Sequence, residues 1–237
     1  MLSVKGLRAG YGALTILKDI DIRIDPGEVV GLVGANGAGK TTLVRALAGL
    51  LPAQEGEIRL GAQDITRIPP HRRSGFGLAV VLENRNLFGE LTVRENLLLA
   101  ARTGRERRQV FSLERIVDLF PAVGEKLNVR CDLLSGGQQQ QVAISRALLL
   151  QPDVVVMDEP STGLAPKVVK DIVDVLGRLR ADGMSIILVE QNIAIASSAT
   201  SRAYVMATGR VAHEIADGQW PGFMADEKLV RAYLGQH

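Results

Sequence analysis

The sequence predicts an α/β fold on three observations. Apolar, strand-like runs alternate with segments of helical period along the chain. One such run, Val29–Val33, leads into the glycine-rich stretch GANGAGKT at 34–41 and then into a helix-like run at 42–50. That order of strand, glycine loop and helix is the context of a phosphate-binding P-loop. Another apolar run, 154–157, ends in the adjacent carboxylates of Asp158 and Glu159. A strand buried in a parallel sheet delivers its C-terminal end to the ligand crevice.

Taken in order, residues 2–8 and 20–24 read as short alternating strands about a turn at 9–12, and Pro26-Gly27 punctuates the chain before the P-loop strand. Gly49 and Pro52 close the first helix. Segments 56–60 and 76–82 look like further strands. From Glu83 the character becomes helical. Thr92 and Glu95 have the spacing of a capping box and 97–101 continues the helix, while 113–120 is helical up to Pro121 and 142–150 is helical again. Residues of about 85–149 therefore read as a mostly helical insert between strands. Strand character returns at 154–157, and Pro166 sits where a helix can begin. Val168, Val169, Ile172, Val173, Leu176 and Leu179 then share one apolar face up to Gly183. A buried-type strand at 185–189, a hairpin of 204–207 and 211–214 about Thr208-Gly209, and a short helix at 226–234 complete the chain.

Composition narrows the class. The 237 residues suffice for one large domain or a core with a subdomain, and 46% hydrophobic with 23% charged residues is ordinary for a soluble globular protein. Lys+Arg 28 against Asp+Glu 26 leaves a formal charge of +2, so no nucleic-acid partner is expected. The basic run RTGRERR at 102–108 reads as a solvated, mobile loop. Cys131 stands alone. It allows no internal disulfide, fits a reducing compartment, and reads as a small packed hydrophobe. No apolar run approaches the roughly 18 residues of a membrane span, and MLSVKGLRAGYG lacks a signal-peptide core. The expectation is a cytoplasmic protein that reaches a membrane only through a partner.

The chemistry concentrates in three places. In GANGAGKT, the glycines let backbone N–H groups close around an anion and the following helix adds its positive end. Lys40 is placed to reach the β- and γ-phosphates, and the Thr41 hydroxyl to hold Mg²⁺. At the second place, Asp158 can hold Mg²⁺ through water, and Glu159 can orient and deprotonate an attacking water. The third is LSGGQ at 134–138. Ser135 and Gln138 have capping-box spacing, and the same serine, glycine amides and helix N-terminus can meet a phosphate. The two readings of LSGGQ are compatible.

With these motifs in hand the chain resembles the ABC-transporter ATPase family over essentially its whole length. Residues 34–41 match the Walker A motif, 134–138 the signature motif and 154–159 the Walker B motif. The resemblance implies a RecA-like core with an N-terminal antiparallel β-subdomain (1–84 and 150–237) and a helical signature subdomain (85–149). It implies ATP and Mg²⁺ as ligands. It also implies a head-to-tail homo- or heterodimer with another such subunit, in which Ser135, Gly136, Gly137 and Gln138 meet the ATP held by the partner's P-loop. Gly34, Asn36, Gly37, Gly39, Lys40, Thr41 and Thr42 form the implied nucleotide cradle. Tyr11 falls at the family's adenine-stacking aromatic, a reading preferred to that of a packed tyrosine in a small sheet. Glu83 stands where most members have the Q-loop glutamine, touching nucleotide and metal. Gln191 stands at the switch histidine and Ala165 at the D-loop aspartate. None of the three histidines (71, 213, 237) falls at the switch.

Glutamate in the Q-loop, GLAP after Walker B, VEQN at the switch and RAYLG at 231–235 together resemble the ATPases of branched-chain amino-acid importers. The wording VVLENRNLF departs from that branch, with Leu82 for a proline and Asn84 for a glycine. Gln191 keeps a hydrogen-bonding role but cannot titrate near neutrality. The implied function is an ATP-driven importer motor on the inner face of the cell membrane, seated on integral permease subunits and served indirectly by a solute-binding protein. Asn86-Leu87-Phe88 looks exposed beside the Q-loop position and is expected to border the permease groove. Two alternatives remain at this point: a soluble ABC ATPase outside transport, or a motor for another small polar solute such as urea or amides.

Overall fold

The computed structural model describes residues 1–234, so Gly235 of the RAYLG segment and His237 lie outside the described residues. β1 (Leu2–Tyr11) and β2 (Leu14–Ile24) form an antiparallel hairpin. Both strands run longer than their sequence pattern indicates, and the turn falls at Gly12-Ala13 instead of 9–12. The alternation is broken because the pairing slips between Val4 and Leu7 and again near Ala9 and Gly10, so the inward face changes phase along the strand. Gly10 fits because a Cβ there would lie 1.9 Å from the Leu14 carbonyl.

β3 (Val29–Val33) is buried throughout and leads into α1 (Lys40–Ala48). β4 (Ala53–Leu60), longer than the 56–60 the sequence suggests, and β5 (Gln63–Asp64) complete a sheet of order β2-β1-β4-β5. A short α2 (Pro70–Arg73) and a 3₁₀ turn precede β6 (Leu78–Val81), which is trimmed from 76–82. Four helices follow before the chain returns to strand: α3 (Val93–Gly104), α4 (Leu113–Leu119), α5 (Pro121–Gly124) and α6 (Gly136–Leu148). Thr92 does build its capping box with Glu95. Pro121 stops α4 and opens α5 at the position where proline is tolerated. α6 begins six residues before its apolar run because the capping box starts it at Ser135.

β7 (Val154–Asp158), α7 (Pro166–Ala181), β8 (Ser185–Glu190), α8 (Ile193–Ala199), β9 (Arg202–Ala207), β10 (Arg210–Ile215), α9 (Trp220–Ala225) and α10 (Glu227–Leu234) complete the described chain. The second sheet has order β10-β9-β3-β8-β7-β6, parallel except for β10. A parallel sheet covered on both faces accounts for the unbroken apolar runs of β3, β7 and β8. One core, around Leu32, Leu43 and Val156, joins this sheet to α1 and the antiparallel sheet. Another, around Ile116, Ile144 and Leu176, packs the helical segment and α7 against the other face.

The basic run is not the mobile loop its charge suggests. Residues 102–104 are the last turn of α3, and Arg107 donates to Asp153 Oδ2 at 2.7 Å and to the Gln151 carbonyl at 2.8 Å. Cys131 is buried, accepts from Asn96 Nδ2 at 3.2 Å, and has its thiol pKa raised by burial.

Candidate functional site

The cradle at 34–41 lies beyond the C-terminal end of β3. A Cβ on Gly34 would come within 2.4 Å of the Met206 carbonyl, so the strand beside it leaves room only for glycine. Gly37 and Gly39 carry φ of 79° and 105°, a backbone region costly for residues with a Cβ. α1 opens at Gly39 with no side-chain cap, so its first-turn N–H groups, those of Lys40, Thr41 and Thr42 among them, remain for an anion. Asn36 and Gly37 are exposed at the loop's crest.

Lys40 is buried, and its Nζ donates to the Gly34 carbonyl at 2.8 Å and the Ala35 carbonyl at 3.3 Å. The same ammonium lies 3.3 Å from Glu159 Oε1. Glu159 itself has φ 46°. It is held in this left-handed turn by its N–H on the Val189 carbonyl at 2.9 Å, while Thr162 Oγ1 donates to Glu159 Oε2 at 3.3 Å. A non-glycine residue in this region costs roughly 1–2 kcal/mol, and such strain clusters at functional sites.

Asp158, at the end of β7, is 1% exposed, and neither of its carboxylate oxygens has a hydrogen-bond partner. Burial, then the charges of Glu159 and Glu83, push its carboxyl pKa up to about 6. Two orphaned, buried carboxylate oxygens beside the cradle are an arrangement a bound divalent cation satisfies. The donor set therefore fits Mg²⁺, with the Thr41 hydroxyl in the first turn of α1 as its companion. Glu83, exposed just beyond β6, joins this acidic group through its field on Asp158.

Gln191 follows β8. Because Glu190 pairs with Val33 in the parallel register, Gln191 lies beside the entrance to the cradle. Tyr11 is 44% exposed and accepts a hydrogen bond from Arg45 Nη1 at 3.1 Å. It is thus a surface ring tethered to α1, not a packed core tyrosine. Ala165 precedes α7 and is exposed.

The structure does not bring residues 135–138 to this cradle. Ser135 is exposed, accepts from the Gln138 N–H at 3.3 Å, and has its own N–H bound to Gln138 Oε1 at 3.0 Å. Gly137 packs on Val168, where a Cβ would come within 2.9 Å of the valine methyl. The segment presents a helix N-terminus, closed by its own capping box, with Ser135 exposed.

Two residues that the sequence reading passed over belong to the site. Glu190 is a buried carboxyl between the Glu159 turn and Gln191. Asn192 caps α8 by accepting the Ala194 and Ile195 N–H groups. An asparagine two residues before an alanine-rich run was a usable cap signal. Nothing local marks a glutamate at the end of an apolar strand as buried.

A parallel sheet with a glycine cradle at a helix start and two carboxylates at the end of β7, one strand removed from β3, defines a P-loop nucleoside triphosphatase. The family model described as ABC transporter matches residues 17–162. The chain is 37% identical over 236 residues to the high-affinity branched-chain amino acid transport ATP-binding protein BraG of Pseudomonas aeruginosa, covering 99% of this chain and 100% of the relative. It is also 37% identical over 236 residues to a probable branched-chain amino acid transport ATP-binding protein LivF of Archaeoglobus fulgidus, covering 99% of each. Among solved structures it matches a dimeric ATP-binding cassette in a post-hydrolysis state bound to ADP and Pi, with TM-score 0.78, 27% identity, and coverage of 90% of this chain and 97% of that one. The chain belongs to the ABC transporter ATP-binding family, and it is a nucleotide-binding ATPase of that type. Among the described residues no helix is long and apolar enough to cross a membrane.

Proposed function

We propose that this protein is the ATP-hydrolysing motor of an importer for branched-chain or related amino acids. It works as a homo- or heterodimer with another ATPase subunit, held on the inner face of the membrane by permease subunits and served by a solute-binding protein. The observation that carries the reading is the meeting of Lys40, Asp158 and Glu159 beside an uncapped helix start. The 37% identity to two branched-chain amino-acid transport ATPases supports the solute class.

In this reading the cradle amides from Gly34 to Thr42 and the Lys40 ammonium hold the triphosphate, with Asn36 at the crest and Tyr11 against the base. Thr41 and Asp158, with Glu83 nearby, hold Mg²⁺, which when bound offsets phosphate charge. Glu159 accepts the proton of the attacking water and Gln191 hydrogen-bonds that water or the γ-phosphate. Residues 85–149 act as the signature subdomain. Its Ser135, Gly136, Gly137 and Gln138 close on the ATP of the opposing subunit. Hydrolysis then depends on dimer closure.

The test is reconstitution in vesicles of this chain with its membrane permease and solute-binding subunits. Leucine uptake should require ATP on the side of this chain and vanish with Glu159→Gln. ATP hydrolysis that responds to the binding protein without leucine, isoleucine or valine uptake would overturn the solute assignment.

A further inference from the structure

We propose that Glu190 is a positioning residue that ties the turn carrying Glu159 to the segment carrying Gln191, so that the base and the switch side chain act on one water in fixed relation. The inference rests on the site reading above and adds a residue to it.

Glu190 ends β8 and is 1% exposed. Its Oε1 accepts the Ser161 N–H at 3.3 Å, and the Ser161 hydroxyl and the Asn192 N–H are donors placed close enough to favour the charged carboxyl. Ser161 lies two residues after Glu159, and Asn192 one residue after Gln191. The preceding residue of β8, Val189, already accepts the Glu159 N–H through its carbonyl at 2.9 Å. Two consecutive residues of one strand therefore hold both ends of the turn 159–161. Through Asn192, whose side chain caps α8, the brace continues into that helix. Gln191 is the residue enclosed between the carboxyl and its Asn192 anchor.

The brace lies in the wall of a cavity of about 810 Å³, where Ser161 and Thr162 face Gln191 and Asn192. Burying a carboxyl is costly, and packing alone would be served as well by a leucine. Three donors converging on one group call for an acceptor with no hydrogen of its own in the way. A carboxylate supplies that, and an amide supplies it only in part. Burial, opposed by the Ser161 bonds, pushes the Glu190 pKa up to about 7, so those donors recover part of the burial penalty and keep a share of the carboxyl charged at neutral pH.

The experiment measures steady-state turnover, ATP binding by the full chain and thermal unfolding for Glu190→Gln, Glu190→Ala, Gln191→Ala and the double variant Glu190→Ala/Gln191→Ala. Expected is a fall in kcat of about tenfold for Glu190→Gln and a larger one for Glu190→Ala, in the range that small misplacements of catalytic groups produce, with ATP affinity kept. Once Gln191 is already alanine, removing Glu190 should cost much less than it does alone. If Glu190→Ala does not fold, the isosteric Glu190→Gln decides by the same split between kcat and binding. Wild-type kcat in Glu190→Gln beside a slow Gln191→Ala overturns this inference alone. So do fully additive losses, or parallel falls in affinity and melting temperature. Unchanged turnover in Gln191→Ala overturns the site reading, and this inference with it.

Discussion

Lys40 Nζ and Glu159 Oε1 lie 3.3 Å apart at the end of the P-loop, the lysine 4% and the glutamate 13% exposed. An ammonium this buried interacts with a carboxylate more strongly than a surface pair does. A γ-phosphate seeking Lys40 therefore competes with Glu159, and the carboxylate displaced from the ammonium becomes free to take a proton from water.

Glu159→Gln should separate these effects. The amide keeps the shape but surrenders the charge, so ATP has a weaker rival for Lys40 and binds at least as tightly as before. Turnover should fall by roughly 10²–10⁴, the usual worth of a general base, and the ATP-bound dimer should accumulate. Single-turnover hydrolysis and ATP-dependent gel filtration read both; unchanged steady-state hydrolysis removes Glu159 from the role of base.

Asp158 makes a prediction about pH. Burial and the neighbouring carboxylates push its carboxyl pKa from the ordinary 3.8 up to about 6, so between these values the folded chain holds more proton than the unfolded one. Stability from this group is thus lost as pH rises from about 4 to 6, and the full penalty, on the order of 3 kcal/mol, is present at pH 7. Asp158→Asn should flatten that part of the profile and raise the melting temperature at pH 7 by ~8 °C, while abolishing Mg²⁺-dependent turnover. A residual slope with the same sign should persist, because Glu190 is raised to about 7. Melting scans from pH 4 to 8 without nucleotide test this; a lower melting temperature at pH 7 counts against it.

Much of this was legible in the sequence because it is encoded locally. A capping box needs only four residues, and both boxes, at Thr92 and Ser135, form. The P-loop is likewise one contiguous turn. What was not legible depends on partners remote in sequence. The length of β1 and β2 is hidden by slips in pairing that break their alternation. The anchoring of Arg107 depends on Asp153 and the Gln151 carbonyl. The helices α8 and α9 have too few residues to show a period, and the burial of Glu190 follows from β8 lying centrally between β3 and β7.

Arg73 shows the same dependence. It is 3% exposed and donates to the carbonyls of Ala46 at 2.8 Å, Leu47, Ile68 at 2.9 Å and Thr66 at 3.1 Å. Two of these carbonyls close the last turn of α1, so the guanidinium sits at the negative end of the P-loop helix. Burial lowers its pKa only to about 10, which leaves it charged at neutral pH. A lysine has one ammonium and cannot span four acceptors. Arg73→Lys should cost about 3 kcal/mol and lower the melting temperature by ~10 °C, with weaker ATP binding as α1 loosens. Calorimetry with and without nucleotide checks it; a change within error would mean that water replaces the fork.

Phe88 bears on the permease. It is 55% exposed, yet its backbone N–H and carbonyl are both bound by the buried side chain of Asn96 at 3.0 Å, and its ring lies 5.8 Å from the Arg146 guanidinium. Arg146 in turn donates to the Arg85 carbonyl, and Arg85 to Gln139 and Gln140 of α6. An exposed aromatic ring held rigid in this way loses little freedom on binding, which is the character of an interface anchor. Phe88→Ala removes the ring without touching the cradle. ATP hydrolysis by the chain alone should stay close to wild type, while affinity for the membrane subunits should fall about 30-fold, the worth of an anchor of ~2 kcal/mol. Titrating the labelled chain onto permease in detergent measures this directly. Wild-type affinity would move the docking groove elsewhere, whereas lost affinity together with lost hydrolysis would place Phe88 in the folding of the α3 entrance and not on the docking face.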